Sequence, residues 1–260
     1  MNKVICFLFL FILSYLSYKK QIYNEGFKIQ NKKSYKYGIV MCCFNRPEYL
    51  SKTLNSLKKS RLNNCLICIV DDCSNNINTI KLIKDFRIDS KNCNIIKIRN
   101  KTNLGIQKSL LKGFEKINKY DCKYLTNIDS DVIMKPDWLN TFDKTYQSVN
   151  SKINNNGIII TGFNCVNSCK HKVVKTYDDF HIKGTIGGIN MFFDKNVYKT
   201  IFKPVLQDNT IRKQGWDWSV CRKMAKKGRY FVATKPSVIQ HIGINGMWSK
   251  TNRVDIAEDY

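Results

Sequence analysis

Four short apolar runs alternate with amphipathic segments in the first half of the chain. Buried strands are predicted at residues 37–43, 65–70, 95–98 and 124–128. After Pro47, which suits the first turn of a helix, Leu50, Leu54 and Leu57 recur at helical spacing, and further helices are predicted around Ile80 and at residues 105–119. Strands that alternate with helices in this way are typical of parallel βαβ units. The pattern therefore predicts an α/β fold, with a mostly parallel central sheet and helices on both faces.

The rhythm changes after Pro136, where the apolar runs become less regular. Strands are predicted at residues 157–163, 185–193, 229–234 and 238–241, with a basic loop between the first two and a helix at 216–227. No repeat and no proline-rich or glycine-rich linker separates the halves, so we expect them to share one core. The expected organisation is an apolar segment at 1–20, a basic tether at 21–36, two halves of one domain at 37–135 and 136–246, and a tail at 247–260.

Composition favours a globular protein but leaves the origin of its charge open. The chain has 260 residues, 43% of them hydrophobic and 12% aromatic, which argues against disorder. Its net charge of +24 suits an anionic substrate, an anionic membrane face or nucleic acid. The excess is mostly lysine, is scattered, and accompanies abundant asparagine and isoleucine, as an AT-rich coding sequence would produce. No run resembles a basic nucleic-acid arm, so no nucleic-acid partner is predicted.

The eleven cysteines form no regular framework. Cys65 and Cys68 make a C-x-x-C pair, but they lie within an apolar run and no second pair follows at zinc spacing, so we interpret both as core residues. Cys165 and Cys169 are close enough in sequence to pair, or they stay free. The redox compartment cannot be deduced from this pattern.

The N-terminal segment is a candidate membrane anchor. Residues 4–18 are nearly all apolar, with Lys3 before them and Lys19 and Lys20 after them. About 15 residues give roughly 22 Å of helix, short of a hydrocarbon core of about 30 Å. Because no small-residue cleavage site follows, we expect an uncleaved signal anchor in an endomembrane (Golgi-like) or host membrane; a cleaved signal peptide, and hence secretion, is the alternative. The flanking charges leave the orientation open.

Polar side chains follow each of the four predicted strands, where ligands of open α/β sheets bind. Asp129 and Asp131, two residues apart in an extended chain, point the same way and offer hard oxygen donors suited to Mg²⁺ or Mn²⁺. A strand-end aspartate can accept a hydrogen bond from uracil N3 or a ribose hydroxyl, and Arg46 or Lys108 can counter phosphate charge. Any one of these residues alone fits a solvated turn, but the series favours a metal-held diphosphate. The strand-end residues are Asn45, Arg46, Asp71, Asp72, Asn103, Asp129 and Asp131.

These motifs, in this order, resemble the GT-A glycosyltransferases, especially glycosyltransferase family 2, over about residues 37–245. The matching elements are Cys43-Phe44-Asn45-Arg46-Pro47-Glu48-Tyr49-Leu50, Val70-Asp71-Asp72-Cys73-Ser74, Asn103-Leu104-Gly105 with Gly113, and Asp129-Ser130-Asp131. The resemblance implies a nucleoside-diphosphate sugar bound in the half at 37–135, with Mn²⁺ or Mg²⁺ bridging the last motif and the diphosphate. By position, Asp71 or Asp72 would hold the base, Asp129 the ribose or metal, and Asp131 the metal.

The half at 136–246 would bind the acceptor and supply the base. Residues 215–222 resemble the family's Glu-Asp motif at the start of a helix, with Asp217 as general base for inverting transfer; Trp216 stands in place of the usual acidic neighbour. General-base catalysis typically contributes roughly 10²–10⁴ in rate. Trp216 and Trp218 are candidate acceptor contacts or core residues, and Asp217 alternatively only caps the helix.

Histidine and glycine complete the set of residues that the resemblance implies. His241 matches a further metal ligand near the end of the domain and would favour Mn²⁺. Gly184, Gly187 and Gly188 match a glycine-bearing strand beneath the acceptor. His171 and His181 have no comparable context and are expected at the surface.

The function expected from these residues is metal-dependent transfer of a hexosyl group from a UDP-linked donor to a hydroxyl of a glycan, protein or lipid. A non-catalytic sugar-nucleotide-binding protein and a nucleotidyltransferase are the alternatives. A nucleotidyltransferase should have a glycine-rich basic loop directly after the first strand, and residues 43–46 are not one. A nucleic-acid binder should show salt-sensitive affinity that is indifferent to Asp131→Ala.

Overall fold

The computed structural model describes residues 14–17, 19, 33–153, 157–166, 171–211, 215–244 and 255–260. The chain divides into two compact units, Met1–Ser34 and Tyr35–Tyr260. In the first unit residues 14–17 and 19 are helical, while the rest of the predicted apolar segment and most of the tether fall outside the described residues. In the part of the chain that is described, no helix has the length and apolar character needed to cross a membrane.

The first half has the alternation that the apolar runs predict. Pro47 occupies the first turn of the first helix, and the apolar faces of the helices turn towards the sheet. The elements are β1 (Ser34–Cys43), α1 (Pro47–Lys59), β2 (Cys65–Asp71), α2 (Ile77–Asp85), β3 (Cys93–Arg99), α3 (Ile106–Ile117), β4 (Asp121–Asp129) and β5 (Val132–Met134).

The second half departs from the predicted elements in several places, and the helical segments at 138–152 and 195–207 were not predicted. The basic loop expected after residue 163 contains a hairpin, in which Phe180 and Ile182 of the second strand are buried while the first strand is largely exposed. The strand expected from residue 185 begins only at Asn190, after a glycine-bearing loop. The elements are α4 (Trp138–Lys152), β6 (Ile159–Thr161), β7 (Val173–Thr176), β8 (Phe180–Lys183), β9 (Asn190–Asp194), α5 (Lys195–Val197), a π-helical turn (Tyr198–Phe202), α6 (Lys203–Gln207), α7 (Trp216–Lys226), β10 (Phe231–Thr234) and β11 (Ile239–His241).

Nine of the eleven described strands form one sheet in the order β3-β2-β1-β4-β9-β6-β10-β8-β7. Strands β1, β2 and β3 are parallel, as predicted for the βαβ half. The second half adds antiparallel pairs between β4 and β9, β6 and β9, β8 and β10, and β7 and β8, whereas β6 and β10 are parallel. The carboxyl ends of β1 and β2 therefore meet at one edge of the sheet, which is where the predicted site residues lie.

Two apolar clusters cover the two faces of the sheet. Alternate residues of β1 face opposite sides, so Ile39 packs with α1 and α4 whereas Val40 packs with α3 and α7. This burial on both faces explains why the strands are continuous apolar runs. Cys65 and Cys68 are buried and free, which confirms that they are core residues. Cys165, in contrast, is disulfide-bonded.

A small two-stranded sheet returns the end of the domain to the end of β4. Strand β11 pairs antiparallel with β5, with His241 opposite Val132 and Ile239 opposite Met134. The backbone N–H of Ile242 then donates to the carbonyl of Asp131 at 2.9 Å. Residues more than a hundred positions apart in sequence are thus held beside the acidic pair.

Candidate active site

Strand β4 presents Asp129 and Asp131 at the carboxyl edge of the sheet. A buried asparagine network fixes the end of this strand: Asn190 on β9 donates to the Thr126 hydroxyl at 2.9 Å and to the Asn127 carbonyl at 2.8 Å. Its own Oδ1 accepts from Gly162 N–H at 3.0 Å. The acidic pair therefore projects from a rigid support. A lone asparagine inside an apolar strand was the sequence signal for this network, which our sequence analysis missed.

Asp131 is buried and held by two basic side chains. Arg46 Nη1 donates to its Oδ2 at 2.8 Å, and His241 Nε2 lies 3.5 Å from the same oxygen. Burial acts to raise the pKa of Asp131, but His241 and Arg46 outweigh it and lower the pKa below its ordinary value. A Cβ at Gly243 would lie 2.2 Å from Oδ2, so the backbone after β11 closes over this oxygen and no larger residue fits there.

Asp129 is a carboxyl group whose ionised form is disfavoured by its surroundings. No hydrogen bond or ion pair reaches its carboxylate from any residue in the described ranges, although its backbone N–H donates to the Ile189 carbonyl at 3.0 Å. Burial raises the pKa of Asp129 well above its ordinary value, the negative charges of Asp131 and Asp217 raise it further, and Arg46 opposes them. Three carboxylates from two halves of the chain thus interact at one point.

The predicted metal residues are only partly arranged as a metal site. Among the positions that the structure describes, no three His, Cys, Asp or Glu side chains form a ready-made ligand set. The carboxylates of Asp129 and Asp131 suit a hard divalent cation, because carboxylate oxygens are the ligands that Mg²⁺ and Mn²⁺ prefer. The fit of His241 is weaker: its buried Nδ1 has no hydrogen-bond partner, whereas a ligating histidine normally donates its second N–H to an orienting group.

Asp217 lies in the first turn of α7, beside the glycine loop. Gly215 occupies the N-cap position with φ of 78° and makes no side-chain cap. Burial raises the pKa of Asp217, and hydrogen bonds from the backbone N–H groups of Trp218 and Gly188 only partly offset it. The carboxyl therefore binds the helix start and the loop before β9, but its raised pKa also makes it a candidate proton acceptor.

The two tryptophans that flank Asp217 have different environments. Trp216 is 8% exposed and packs edge-on against Phe202, with ring centroids 5.5 Å apart. A Cβ at Gly188 would lie 2.7 Å from Trp216 Cζ2, so this glycine lets α7 pack closely on the loop. Trp218 is 38% exposed, and its ring is the aromatic surface open to a ligand beside Asp217.

His171 was predicted at the surface from the sequence, and this prediction is wrong. Its Nδ1 lies 2.8 Å from the Thr185 hydroxyl, its ring centroid is 5.5 Å from that of Trp218, and its Nε2 would be 3.4 Å from a Cβ at Gly187. Burial, with a smaller effect of Lys183, lowers the pKa of His171 to about 4. A neutral imidazole therefore backs Trp218, and no sequence signal indicated this long-range contact.

Asp72 and Asp71 hold the loops at the nucleotide side. Asp72 Oδ1 accepts from Asn100 Nδ2 and Leu104 N–H, each at 2.8 Å, and its Oδ2 accepts from Gly105 N–H at 2.8 Å. Asp71 Oδ1 accepts from Ser74 N–H at 2.9 Å, and its Oδ2 lies 3.2 Å from Arg99 Nη1. Both carboxylates therefore have a structural role, and their contact with a base stays a prediction.

The other residues predicted for the nucleotide side lie around the same loops. Asn45 Oδ1 accepts from the backbone N–H groups of Asn75 and Asn76 at 3.1 and 3.0 Å, tying the loop after β1 to the loop after β2. Asn103 Oδ1 accepts from Gly105 N–H at 3.1 Å, and Lys108 is exposed. These residues line one edge of the sheet, as predicted, but none meets Asp217.

The comparisons with known proteins agree with this geometry. Residues 38–149 match the family model described as glycosyl transferase family 2. The crystal structure of S. aureus TarS 1-349 in complex with UDP-GlcNAc matches with a TM-score of 0.55 at 16% identity, covering 84% of this chain and 62% of that one. TarS 1-349 in complex with UDP matches at 0.52 and 13%, covering 76% and 57%. S. aureus TarS itself matches at 0.52 and 14%, covering 76% and 35%.

These likenesses have limits. The chain spans less than two thirds of the length of the TarS chains that it matches, and at such identities the structural likeness shows the fold alone. No curated protein matches the chain by sequence.

The sheet order and the structural likeness to TarS show a GT-A fold, as the motifs predicted. Residues 38–149, which include the acidic edge of the sheet, are similar to glycosyl transferase family 2.

Proposed function

We propose that this protein transfers a hexosyl group from a UDP-linked donor to a hydroxyl acceptor, with inversion at the anomeric carbon. The observation that carries the proposal is that the Asp129 carboxyl, which has no ion-pair partner among the described residues, interacts electrostatically with the carboxyls of both Asp131 and Asp217. A divalent cation on the side of the sugar donor would offset the negative charge of these carboxylates. On the acceptor side, Asp217 would take a proton from an acceptor hydroxyl. TarS crystallised with UDP-GlcNAc and with UDP, which supports uridine as the nucleotide here.

Asp129 and Asp131 would hold Mn²⁺ or Mg²⁺, with His241 beside them. When bound, the cation neutralises charge that develops on the leaving diphosphate. Arg46 supplies a further positive charge at the same edge, because its guanidinium already contacts Asp131. Asn45, Asn103, Lys108, Asp71 and Asp72 would contact the nucleotide from the three loops that their hydrogen bonds hold together.

Asp217 would take the proton from the acceptor hydroxyl. Its raised pKa brings its basicity closer to the working pH than that of an ordinary carboxylate, which favours general-base catalysis. The exposed face of Trp218, next to Asp217, would orient the acceptor, and Gly187 and Gly188 leave room for its approach. Trp216 would act indirectly, by holding α7 against the loop. The acceptor is a glycan, a protein or a lipid.

A donor-hydrolysis screen tests the reaction. Wild-type protein and Asp131→Ala would be incubated with UDP-, GDP- and dTDP-sugars, with and without Mn²⁺, and nucleotide release would be measured. We expect release from a UDP-sugar by the wild type in Mn²⁺, and a loss of at least about a hundredfold in Asp131→Ala, consistent with removal of a charge-stabilising group. Donor binding without any turnover would instead favour a sugar-nucleotide-binding protein.

We also propose that residues 1–20 anchor the protein in a membrane. The apolar segment with flanking lysines supports this location. Fractionation of cells expressing the full chain tests it: the chain should stay with membranes after alkaline carbonate extraction. A chain recovered in the medium and shortened at its N-terminus would show a cleaved signal peptide.

A further inference from the structure

The cation-binding edge of Asp131 is already occupied by a positive charge from the chain itself. Arg46 Nη1 donates to Asp131 Oδ2 at 2.8 Å, on the carboxylate that would hold the metal. Asp129 has no such partner among the described residues, so the two carboxylates of the acidic pair are unequal. Asp129 is open to a cation, whereas Asp131 is already paired with the Arg46 guanidinium.

The backbone and two neighbouring groups hold Arg46 in this position. Asn45 and Arg46 have φ of 52° and 58°, in the left-handed region that non-glycine residues rarely adopt. The guanidinium carbon lies 4.4 Å from the centroid of the Tyr49 ring, and Nη2 donates to the Ile244 carbonyl at 3.2 Å. Since glycine would relieve the backbone, the strain is consistent with a functional side chain at this position.

We infer that the Arg46 guanidinium competes with the divalent ion for Asp131 and moves away from this carboxylate when the donor diphosphate binds. A phosphate group offers the guanidinium the bidentate contact that arginine prefers, so diphosphate draws Arg46 away from Asp131 and frees Oδ2. Donor and metal binding are therefore coupled through one positioning residue. This inference rests on the proposed function, because it requires a divalent cation at Asp129 and Asp131.

The coupling has a measurable form. In wild-type protein, Mn²⁺ binds weakly alone and more tightly once UDP is present. In Arg46→Gln, Mn²⁺ alone binds about tenfold tighter than to the wild type, because a direct competitor is gone, and UDP adds less. A structural role for Arg46 would weaken Mn²⁺ binding or leave it unchanged.

Titration calorimetry of Mn²⁺ into the full chain, with and without UDP, tests this inference in wild type, Arg46→Gln and a matched control. Arg61→Gln removes the same charge outside the site, where Arg61 pairs with the exposed Asp137, and it should behave as wild type. Tyr49→Leu removes the ring beneath the guanidinium while keeping the charge, and it should tighten Mn²⁺ binding by a smaller factor. If Arg46→Gln does not fold, Tyr49→Leu tests the inference in its place.

The outcomes separate this inference from the proposed function. Tighter Mn²⁺ binding in Arg46→Gln without UDP, with a smaller UDP effect, supports the inference. Equal or weaker Mn²⁺ binding in both site variants, with UDP still bound, overturns the inference but does not contradict the proposed transferase function. If no variant binds Mn²⁺ with or without UDP, the cation site itself fails and the inference fails with it. An equal gain in Arg61→Gln would show a general charge effect and would also overturn it.

Discussion

Asp217 shows how one residue can be unfavourable for stability and still be useful for chemistry. Its folded-state pKa is raised, so its ionised form is less stable in the protein than in the unfolded chain. The protonated Asp217 therefore contributes to the free energy of unfolding at low pH. This contribution is lost as the pH rises through the folded-state pKa of Asp217. A carboxylate with a raised pKa is a better proton acceptor near neutral pH than an ordinary aspartate.

Asp217→Asn should abolish transfer without abolishing donor binding. We expect kcat to fall by roughly 10²–10⁴, since the variant lacks the proposed general base. UDP affinity should be unchanged, and the thermal midpoint at pH 7 should rise, because a buried charge is removed. Activity assays, UDP calorimetry and thermal unfolding measure the three effects. Retained transfer in a folded variant would exclude Asp217 as the base.

The pH profile of kcat should reflect the raised pKa of Asp217. Because the base acts only when deprotonated, the acidic limb should lie above about 4, the ordinary range of an aspartate. Rates measured at constant ionic strength and saturating Mn²⁺ and donor would locate it. An acidic limb at the ordinary value would contradict the burial of this carboxyl.

At the level of elements, the loops at the sheet edge depend on carboxylates that could be mistaken for ligand groups alone. Asp72 receives three hydrogen bonds from the segment that leads into α3. Asn100, its partner, is buried and also bonds Ser109, which makes the sequon at residues 100–102 a poor glycosylation site in the folded protein. Residues at a ligand edge can thus serve the fold first.

Asp72→Asn should therefore destabilise the protein. The amide cannot accept from Gly105 N–H and from the other donors together, so we expect a loss of about 1.5–3 kcal/mol in the free energy of unfolding. Urea unfolding of wild type and variant measures it. Asp85→Asn, at an exposed carboxylate on α2, should change stability by less than about 0.5 kcal/mol. An unchanged Asp72→Asn would favour a role in base binding alone.

The sequence predicted those elements that local pattern specifies. Strands β1 to β4 are continuous apolar runs because helices cover both faces, and the leucines of α1 have clear helical spacing. The β7–β8 hairpin was missed because its basic residues resemble a loop. The contacts of Arg46 with Asp131 and of His171 with Trp218 join loops far apart in sequence, and no local pattern encodes them.

At the scale of the whole molecule, the charge of +24 is the dominant feature. Net charge of this size destabilises a compact state by self-repulsion, and salt screens it over a Debye length of about 10 Å at 0.1 M. The free energy of unfolding should therefore rise with ionic strength.

Thermal unfolding in increasing salt tests this expectation. We expect the midpoint to rise by about 2–4 °C between 50 and 300 mM NaCl, equivalent to about 1 kcal/mol for a domain of this size. Choline chloride should give the same rise if screening is the cause. A midpoint that falls with both salts would mean that attractive ion pairs outweigh the repulsion.

The pairing of β11 with β5 has a consequence for protein synthesis. A ribosome releases Asp129 and Asp131 long before it has made His241 and Gly243, which later close over Asp131. A nascent chain therefore carries an acidic pair that the end of the domain does not yet cover until the last strand is translated. The proposed transfer activity should therefore appear only after the end of the domain has left the exit tunnel.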